Sequence, residues 1–209
     1  MPEGIVNFYK YEIQRVTDRM LGEIELFGGK AKQIGARAAN RTLQGVRTDI
    51  VHMVRKEYAV PAKDLRDKLW IKKATATSLA ATLFEKGQIS IPLVRYAARG
   101  KWIKANSEHF GKPVTREGVT VTVRRDSGRT LVKGGFIRQS PTFGTPQVMA
   151  RVEKDQRYPL KVLYGPGYRT MLKRPDVELW IKRRADERMD QNMDRELNFL
   201  MTQWERGHV

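Results

Sequence analysis

The stretch KAKQIGARAANRTLQGVRTDIVHMVRKEY, residues 30–58, decides the first long element of the chain. At about 100° per residue, its apolar and small residues gather on one side of a helix. The arc consists of Gly35, Ala39, Thr42, Leu43, Val46, Ile50, Met53 and Val54. The pattern therefore predicts an amphipathic helix that buries this arc in a core.

The opposite side of the same helix is basic. Lys30, Arg37, Arg41 and Arg55 fall within a narrow sector and form a ridge about 38 Å long at the standard helical rise. Such a ridge suits the phosphates of a nucleic acid. A solvated helix face and a contact between subunits are two other interpretations that the pattern leaves open.

Two further helices are expected near this one. Residues 5–29 show apolar residues at steps of three or four, and Gly28-Gly29 interrupts that pattern. Pro61 suits the first position of another helix, because its missing N–H would be unpaired there, and a short helix is predicted over 62–68.

After residue 68 the pattern changes to strands. Residues 69–74, 78–85 and 88–96 predict a meander, in which Pro92 places the third strand at an edge or a bulge. Residues 98–117 predict a long exposed loop, with Trp102 and Phe110 either anchoring a partner or tucked beneath it.

The next stretch predicts a hairpin and two more strands. Val119, Val121 and Val123 alternate with polar residues, and the turn Asp126-Ser127-Gly128 leads into a strand at 131–132. Further strands are expected at 136–137 and 148–152, around a loop over 140–146, and Gly165-Pro166-Gly167 indicates a turn.

Residues 176–204 predict a long C-terminal helix whose apolar face shifts along its length. Val177, Ile181 and Ala185 lie on one side, whereas a second group lies nearly opposite. One straight helix should not bury both faces against one surface. Either the helix breaks within 186–190, or its second half reaches a neighbouring subunit. The predicted subunit contacts are Met193, Leu197, Leu200 and Trp204.

The fold class that follows is α+β, a central antiparallel sheet or meander flanked by N-terminal helices and a long C-terminal helix. The expected divisions are an N-terminal helix over 1–29, an α+β core over 30–172 and a C-terminal helical arm over 173–209.

The net charge of +17 is the largest departure from average composition. Residues 30–73 carry 12 basic and 4 acidic side chains, and residues 99–133 carry 9 and 3. DNA is the leading partner; an anionic membrane surface and an acidic protein are the alternatives. The candidate DNA-facing or assembly residues are Lys30, Arg37, Arg41, Arg55, Arg99, Lys101, Lys104, Arg124 and Arg125.

Catalytic chemistry is not expected. The chain has no cysteine, and its three histidines, His52, His109 and His208, have no partner at metal-ligand spacing. The pairs Asp64/Asp67 and Asp186/Glu187 suit surface ion pairs. Asp190 and Asp194 are four residues apart, but a solvated face explains them better than a bound cation. No cofactor, metal or catalytic residue is therefore predicted.

Neither a signal peptide nor a membrane span is predicted. The N-terminus lacks a basic segment followed by an apolar run, and no uncharged stretch approaches the roughly 18 residues of a span. Synthesis in the cytoplasm is the expectation.

Several segments carry a family resemblance. They are ARAANRTL at 36–43, VPAKDL at 60–65, IKKA at 71–74, IPLVRYAAR at 91–99, GVTVTV at 118–123, KGGFI at 133–137 and PLKVLYGP at 159–166. In this order the chain resembles the minor tail protein Z family of tailed bacteriophages, over roughly residues 31–172. We identify no firm family pattern in the arm after Pro175, so its role is predicted from periodicity alone.

The resemblance implies a virion protein that completes the tail at its head-proximal end, where the tail joins the head and receives DNA. It implies other tail and neck proteins as partners and a homo-oligomeric ring, six copies being one expectation. No catalytic residue is carried over. A stand-alone nucleic-acid-binding protein is the second hypothesis and a nuclease the third, although no helix-turn-helix, zinc or aromatic-rich binding signature supports the second.

Overall fold

A computed structural model describes residues 6–11, 29–86, 90–100, 118–140, 144–153, 156 and 158–207 of the 209. The α-helices of the described residues are α1 (Gly29–Glu57), α2 (Ala62–Lys68), α3 (Tyr168–Leu172) and α4 (Pro175–Glu205). Leu93–Arg95 form one turn of 3₁₀ helix. The strands are β1 (Val6–Tyr11), β2 (Leu69–Lys72), β3 (Ala81–Glu85), β4 (Ser90–Pro92), β5 (Arg99–Gly100), β6 (Val119–Val121), β7 (Thr130–Val132), β8 (Phe136–Gln139), β9 (Pro146–Arg151), β10 (Leu160–Val162) and β11 (Tyr164–Pro166).

The chain forms two compact units, each assembled from segments that are distant in sequence. The first combines residues 1–52, 66–87 and 172–209, and the second combines residues 53–65 and 88–171. The predicted divisions at 29/30 and 172/173 differ from these units, because each predicted part is one continuous stretch of the chain. Among the described helices, none combines the length and the apolar character that a membrane crossing needs.

In the first unit, α1 and α4 run antiparallel. Side-chain contacts link Arg37 to Glu196, Thr42 to Asn192 and Asp49 to Arg184, so the partner number falls as the α1 number rises. The predicted arc of α1 is buried as expected, apart from Met53, which is half-buried. Burial of each large aliphatic side chain contributes about 1.5–3 kcal/mol, so this arc is a principal source of stability.

The strands of the first unit form one antiparallel sheet in the order β1-β3-β2. Asn40 on α1 connects the helix to the residues after β2: its amide nitrogen donates to the carbonyl of Ala74 at 2.9 Å, and its amide oxygen accepts from the Ala74 N–H at 2.8 Å. The Asn40 side chain thus supplies the two hydrogen bonds that a neighbouring strand would supply, because Ala74 lies beyond the end of β2.

Helix α4 is continuous from Pro175 to Glu205, so a break within 186–190, one of the two alternatives for this helix, is wrong. Its buried side chains include Val177, Ile181, Ala185, Met189 and Met193, at successive steps of four residues. Each such step advances about 40° around the helix, so the buried stripe slants. A slanted stripe can follow a helix that crosses at an angle, and one continuous helix can therefore bury Met193 and Leu200 together with the first apolar group, while Trp204 stays exposed.

The second unit contains three small antiparallel sheets. Their strand orders are β10-β9-β8, β11-β4 and β5-β6-β7. The hairpin of β6 and β7 pairs Val119 with Val132, which confirms the predicted hairpin, and β8 and β9 confirm the two further strands. The described strands thus form several small sheets beside long helices, and the α+β class is confirmed.

Tyr96 lies in the core of the second unit. It is fully buried, and its hydroxyl donates a short hydrogen bond to the carbonyl of Pro166. Burial raises its pKa well above the ordinary value of 10.0, with smaller contributions from Tyr168 and Tyr58. Gly165 lies against the ring, where a Cβ would be 2.8 Å from Cε2. This contact explains the glycine between Tyr164 and Pro166.

Three predictions of local structure are wrong, and pairing explains each. Val6–Tyr11 is a strand on β3 rather than part of a helix, because the helical spacing begins only at Ile13. Residues 12–28 of that predicted helix lie outside the described residues. Arg99–Gly100 pairs with β6 instead of opening a loop. Residues 90–92 pair with residues 164–166, so they do not belong to the predicted meander. The same pairing makes residues 164–166 a strand, where a turn over 165–167 was predicted.

Candidate functional site

The exposed side of α1 carries the predicted ridge. Lys30, Arg37, Arg41 and Arg55 are all exposed, as the helical pattern predicted. Between Arg41 and Arg55 the sequence analysis did not assign Gln44, Thr48 and His52, which are also exposed. The part of this surface within the first unit, which we call the α1 polar stripe, consists of Arg37, Arg41, Gln44, Thr48 and His52.

The α1 polar stripe is narrow and contains no carboxylate. At 100° per residue its five members fall within about 80° of helix surface. Lys30, earlier on the same helix, falls in the same sector. The Arg37, Arg41, Gln44 and His52 side chains offer guanidinium, amide and imidazole groups, which can donate hydrogen bonds to phosphate oxygens. The Thr48 hydroxyl already donates to the carbonyl of Gln44 at 3.1 Å. The spacing of three and four residues could have revealed Gln44, Thr48 and His52, but uncharged residues give no electrostatic signal.

The two arginines of the stripe share one carboxylate on α4. Arg37 Nε lies 3.0 Å from Glu196 Oε2, and Arg41 Nη1 lies 3.3 Å from Glu196 Oε1. Each arginine side chain remains about half exposed, at 52% and 51%. Glu196 thus orients both guanidinium groups, cancels at most one of their two charges and leaves both accessible to a polyanion.

The carboxylates of α1 itself are engaged elsewhere. The helix carries seven basic residues against Asp49 and Glu57. Asp49 binds two arginines of α4, and Glu57 Oε1 lies 2.7 Å from Arg124 Nη2. Neither carboxylate therefore neutralises the basic residues of the stripe.

Asp49 forms the tightest polar cluster between α1 and α4. Arg188 donates two hydrogen bonds to it, from Nε at 2.6 Å and from Nη2 at 2.8 Å, and Arg184 Nε donates a third at 2.8 Å. Burial alone would raise the pKa of Asp49, but hydrogen bonds from Arg188 and Arg184 outweigh it, so the pKa lies below its ordinary value. This cluster fixes the position of α1 against α4.

Three of the other candidate residues come together where α1 ends, within the second unit. Arg125 Nε donates to the carbonyl of Arg55 at 2.7 Å, and the Arg125 N–H donates to the carbonyl of Glu57 at 2.8 Å. Arg124 binds Glu57 and lies 3.3 Å from Asp126 Oδ2. Arg125 thus caps carbonyls of the last helical turn, where a cation is favourable.

The remaining candidate residues are scattered. Arg99 is exposed on β5, and its carbonyl accepts a hydrogen bond from the Thr120 hydroxyl at 3.2 Å. Lys101, Lys104, Trp102 and Phe110 lie outside the described residues. Arg129, which the sequence analysis did not select, donates to the carbonyls of Ala97 and Thr120 and stabilises this sheet.

The predicted subunit contacts divide into buried and exposed residues. Met193 and Leu200 are buried within the chain itself, so they offer no surface to a second chain. Leu197 is half-buried and Trp204 is 65% exposed. Met201, which was not predicted, is exposed on the same side of α4 as these two.

One histidine and the candidate carboxylates lie within the described residues. His52 is exposed, while His109 and His208 lie outside the described residues. Within the described ranges, no three histidine or acidic side chains converge as a metal site would require. Asp64 and Glu187 pair with Arg95 and Arg184, as expected of surface carboxylates.

The family model of prophage minor tail protein Z matches residues 25–204 of the chain. The matched range includes α1, the whole of the second unit and nearly all of α4, but not β1. The family pattern therefore extends into the arm after Pro175, where none was expected. Among curated proteins and among solved structures, nothing matches the chain.

Proposed function

Because the chain belongs to the prophage minor tail protein Z family, a family of phage tail structural proteins found in the virion, we propose that it completes the tail at its head-proximal end. There it supports the joining of head and tail and the passage of DNA. It acts as a structural protein without catalysis, among other tail and neck proteins.

The observation that carries the DNA part of this proposal is the α1 polar stripe. Its two guanidinium groups are held in place by Glu196 but remain half exposed, and Gln44 and His52 add exposed side chains that can donate hydrogen bonds. Such a surface binds phosphates without reading bases. Arg55, in the second unit, is a separate candidate with an exposed guanidinium group.

The stripe is also suited to DNA that has to move. A few separated cations give weak, salt-dependent attraction, and each phosphate contact contributes about 0.9 to the slope of log affinity against log salt. We propose that copies form a ring around the DNA path, six copies being the expectation from tail symmetry. Each copy then needs only a weak contact for the ring to position the duplex.

Phage complementation with a stripe variant tests the proposal. Arg37, Arg41 and Arg55 are changed together to Gln, because Glu at residue 37 or 41 would add a charge beside Glu196 and weaken α1–α4 packing. The control changes Lys173, Lys182 and Arg183 to Gln, which removes the same charge from three exposed residues. The stripe variant should fold normally and reduce the titre at least tenfold, whereas the control should complement.

Two readouts separate the parts of the proposal. For the purified stripe variant, the slope of log affinity for duplex DNA against log salt should fall in magnitude by about 3. A full titre with this variant would refute the DNA contact. Normal tail length together with unjoined heads in a null phage would support tail completion, whereas joined particles would refute it.

A further inference from the structure

The outer face of the β1-β3-β2 sheet carries two aromatic rings under one lysine. Trp70 on β2 pairs in register with Phe84 on β3, and Lys86 Nζ lies 4.8 Å and 5.7 Å from the two ring centroids. The indole Nε1 donates to the carbonyl of Asp67 at 3.0 Å, yet Trp70 is 51% exposed. The ring is thus fixed and satisfied within the chain while half of it faces outward.

The segment that follows Asp67 and carries this exposed ring is rich in lysine. Residues 68–86 contain Lys68, Lys72, Lys73 and Lys86, all exposed, and a single carboxylate, Glu85, whose side chain is buried. We call Trp70, Lys72, Phe84 and Lys86 the aromatic–lysine face. A fixed, half-exposed tryptophan beneath Lys86, in a segment with three further exposed lysines, matches an apolar surface with an acidic rim.

The second half of α4 offers that complementary chemistry. Leu197, Met201 and Trp204 lie within about 60° of one another around the helix, and Asp190, Asp194 and Glu205 lie among and beside them. Five of these six residues are exposed and Leu197 is half-buried. The six share a sector of about 100°, in which no basic residue of 186–205 falls. We call them the acidic–apolar face.

We propose that the aromatic–lysine face of one copy binds the acidic–apolar face of a second copy. The contact would join two different surfaces, and a head-to-tail contact of this type closes into a ring when its rotation permits. This inference rests on the proposed function, since it names the contact from which the proposed ring is built. Tryptophan at each side supplies the apolar centre, and opposite charges set the orientation.

A second copy fits these faces better than a nucleic acid does. Lys86 Nζ lies 4.8 Å from the centroid of the Trp70 ring and already occupies one face of the indole, and the acidic–apolar face would repel phosphates. Both faces belong to the first unit, so their chemistry does not depend on the second unit. Because the chain carries a net positive charge, an exposed acidic helix face also attracts the basic surface of a second copy.

Disulfide trapping tests the contact on the full chain, which contains no native cysteine. A Lys72→Cys chain is mixed with a Met201→Cys chain under mild oxidation. We expect a disulfide-linked heterodimer at least tenfold above the yield from His52→Cys mixed with Met201→Cys. A yield equal to that control, or Met201→Cys homodimers alone, would overturn the proposal.

A charge exchange keeps the test independent of folding defects. Lys72→Glu with Lys86→Glu, and separately Asp194→Lys with Glu205→Lys, should each weaken self-association at least tenfold in sedimentation velocity. Mixing the two variants should restore association to within about threefold of wild type. Loss of oligonucleotide binding by the lysine variant, with unchanged sedimentation, would instead identify a nucleic-acid surface and refute the contact.

Failure of this contact can be distinguished from failure of the tail role. The variant with Arg37, Arg41 and Arg55 changed to Gln should still form the crosslink when Lys72→Cys and Met201→Cys are added to it in separate chains. A chain that fails to crosslink but still completes tails refutes only the subunit contact. A chain that crosslinks, while phage lacking the protein still join heads to tails, refutes only the tail role.

Discussion

Gly45 lies directly beneath the guanidinium group of Arg188, so that a Cβ on Gly45 would be 2.5 Å from Nη1 and 2.8 Å from the central guanidinium carbon. Arg188 cannot move aside without cost, because two of its nitrogens bind Asp49. The absence of a side chain at residue 45 therefore allows the closest polar contact between α1 and α4.

Gly45→Ala should destabilise the protein even though alanine favours helices. Propensity alone would stabilise α1 by about 1 kcal/mol. Displacement of Arg188 from Asp49 should outweigh this gain, with a net loss of about 1–2 kcal/mol in the free energy of unfolding. Chemical denaturation measures it. In an Arg188→Met background the same Gly45→Ala change should become stabilising, and the same sign in both backgrounds would contradict the assigned contact.

Asp49 should make the fold sensitive to acid. Its pKa is lower in the folded chain than in the unfolded chain, so the stabilisation is present above the unfolded value near 3.8 and is lost as the pH falls through the folded value. Asp49→Asn should cost about 1–3 kcal/mol at neutral pH. The variant should also lose less stability than wild type as the pH falls through the acid range. Parallel curves of unfolding free energy against pH for the two proteins would exclude this role.

A buried polar pair next to this cluster should show strong coupling. Asn192 Nδ2 donates to the Thr42 hydroxyl at 3.0 Å, and both residues are buried. Thr42→Val leaves the amide without this acceptor and should cost about 1–3 kcal/mol. The double variant with Asn192→Leu should lose about 1 kcal/mol less unfolding free energy than the two single variants lose in sum. The reason is that Asn192→Leu removes the amide that Thr42→Val leaves without its acceptor. Additive losses in thermal unfolding would argue against the pair.

Periodicity predicted the long helices and the hairpin because it depends on neighbours in sequence. The bounds of α2 and the buried arc of α1 were both predicted. Pairing between distant segments could not be read this way. Ile91 pairs with Gly165, and no local pattern in either strand specifies the other.

The candidate site was predicted in part for the same reason. Helical spacing placed Arg37 and Arg41 on the exposed side of α1, but their contact with Glu196 joins residues about 155 positions apart. Met193 and Leu200 were predicted to contact a neighbouring subunit but are buried within the chain. The reason is that the apolar stripe of α4 slants around the helix, whereas the prediction assumed a stripe parallel to the helix axis. Sequence patterns thus predicted which side of a helix is polar and which is apolar, while tertiary packing determined which residues each side contacts.

Glu196→Gln should strengthen DNA binding while slightly weakening the fold. The carboxylate lies 3.0 Å from Arg37 and 3.3 Å from Arg41, and it offsets part of their charge toward an incoming phosphate. Its neutralisation should raise the affinity for duplex DNA about two- to fivefold at low salt, with the gain shrinking as salt rises. Because the two arginines are about half exposed, the loss in stability should be at most about 1 kcal/mol.

Asp67→Asn is the matched control for this prediction, since it makes the same charge change at an exposed residue away from the α1 polar stripe. If net charge alone governed binding, the two variants would gain equally in a fluorescence-anisotropy titration. A larger gain for Glu196→Gln, abolished when Arg37 and Arg41 are also changed to Gln, would assign the effect to the stripe. Equal gains, or a gain that survives the loss of both arginines, would mean that DNA meets the protein elsewhere.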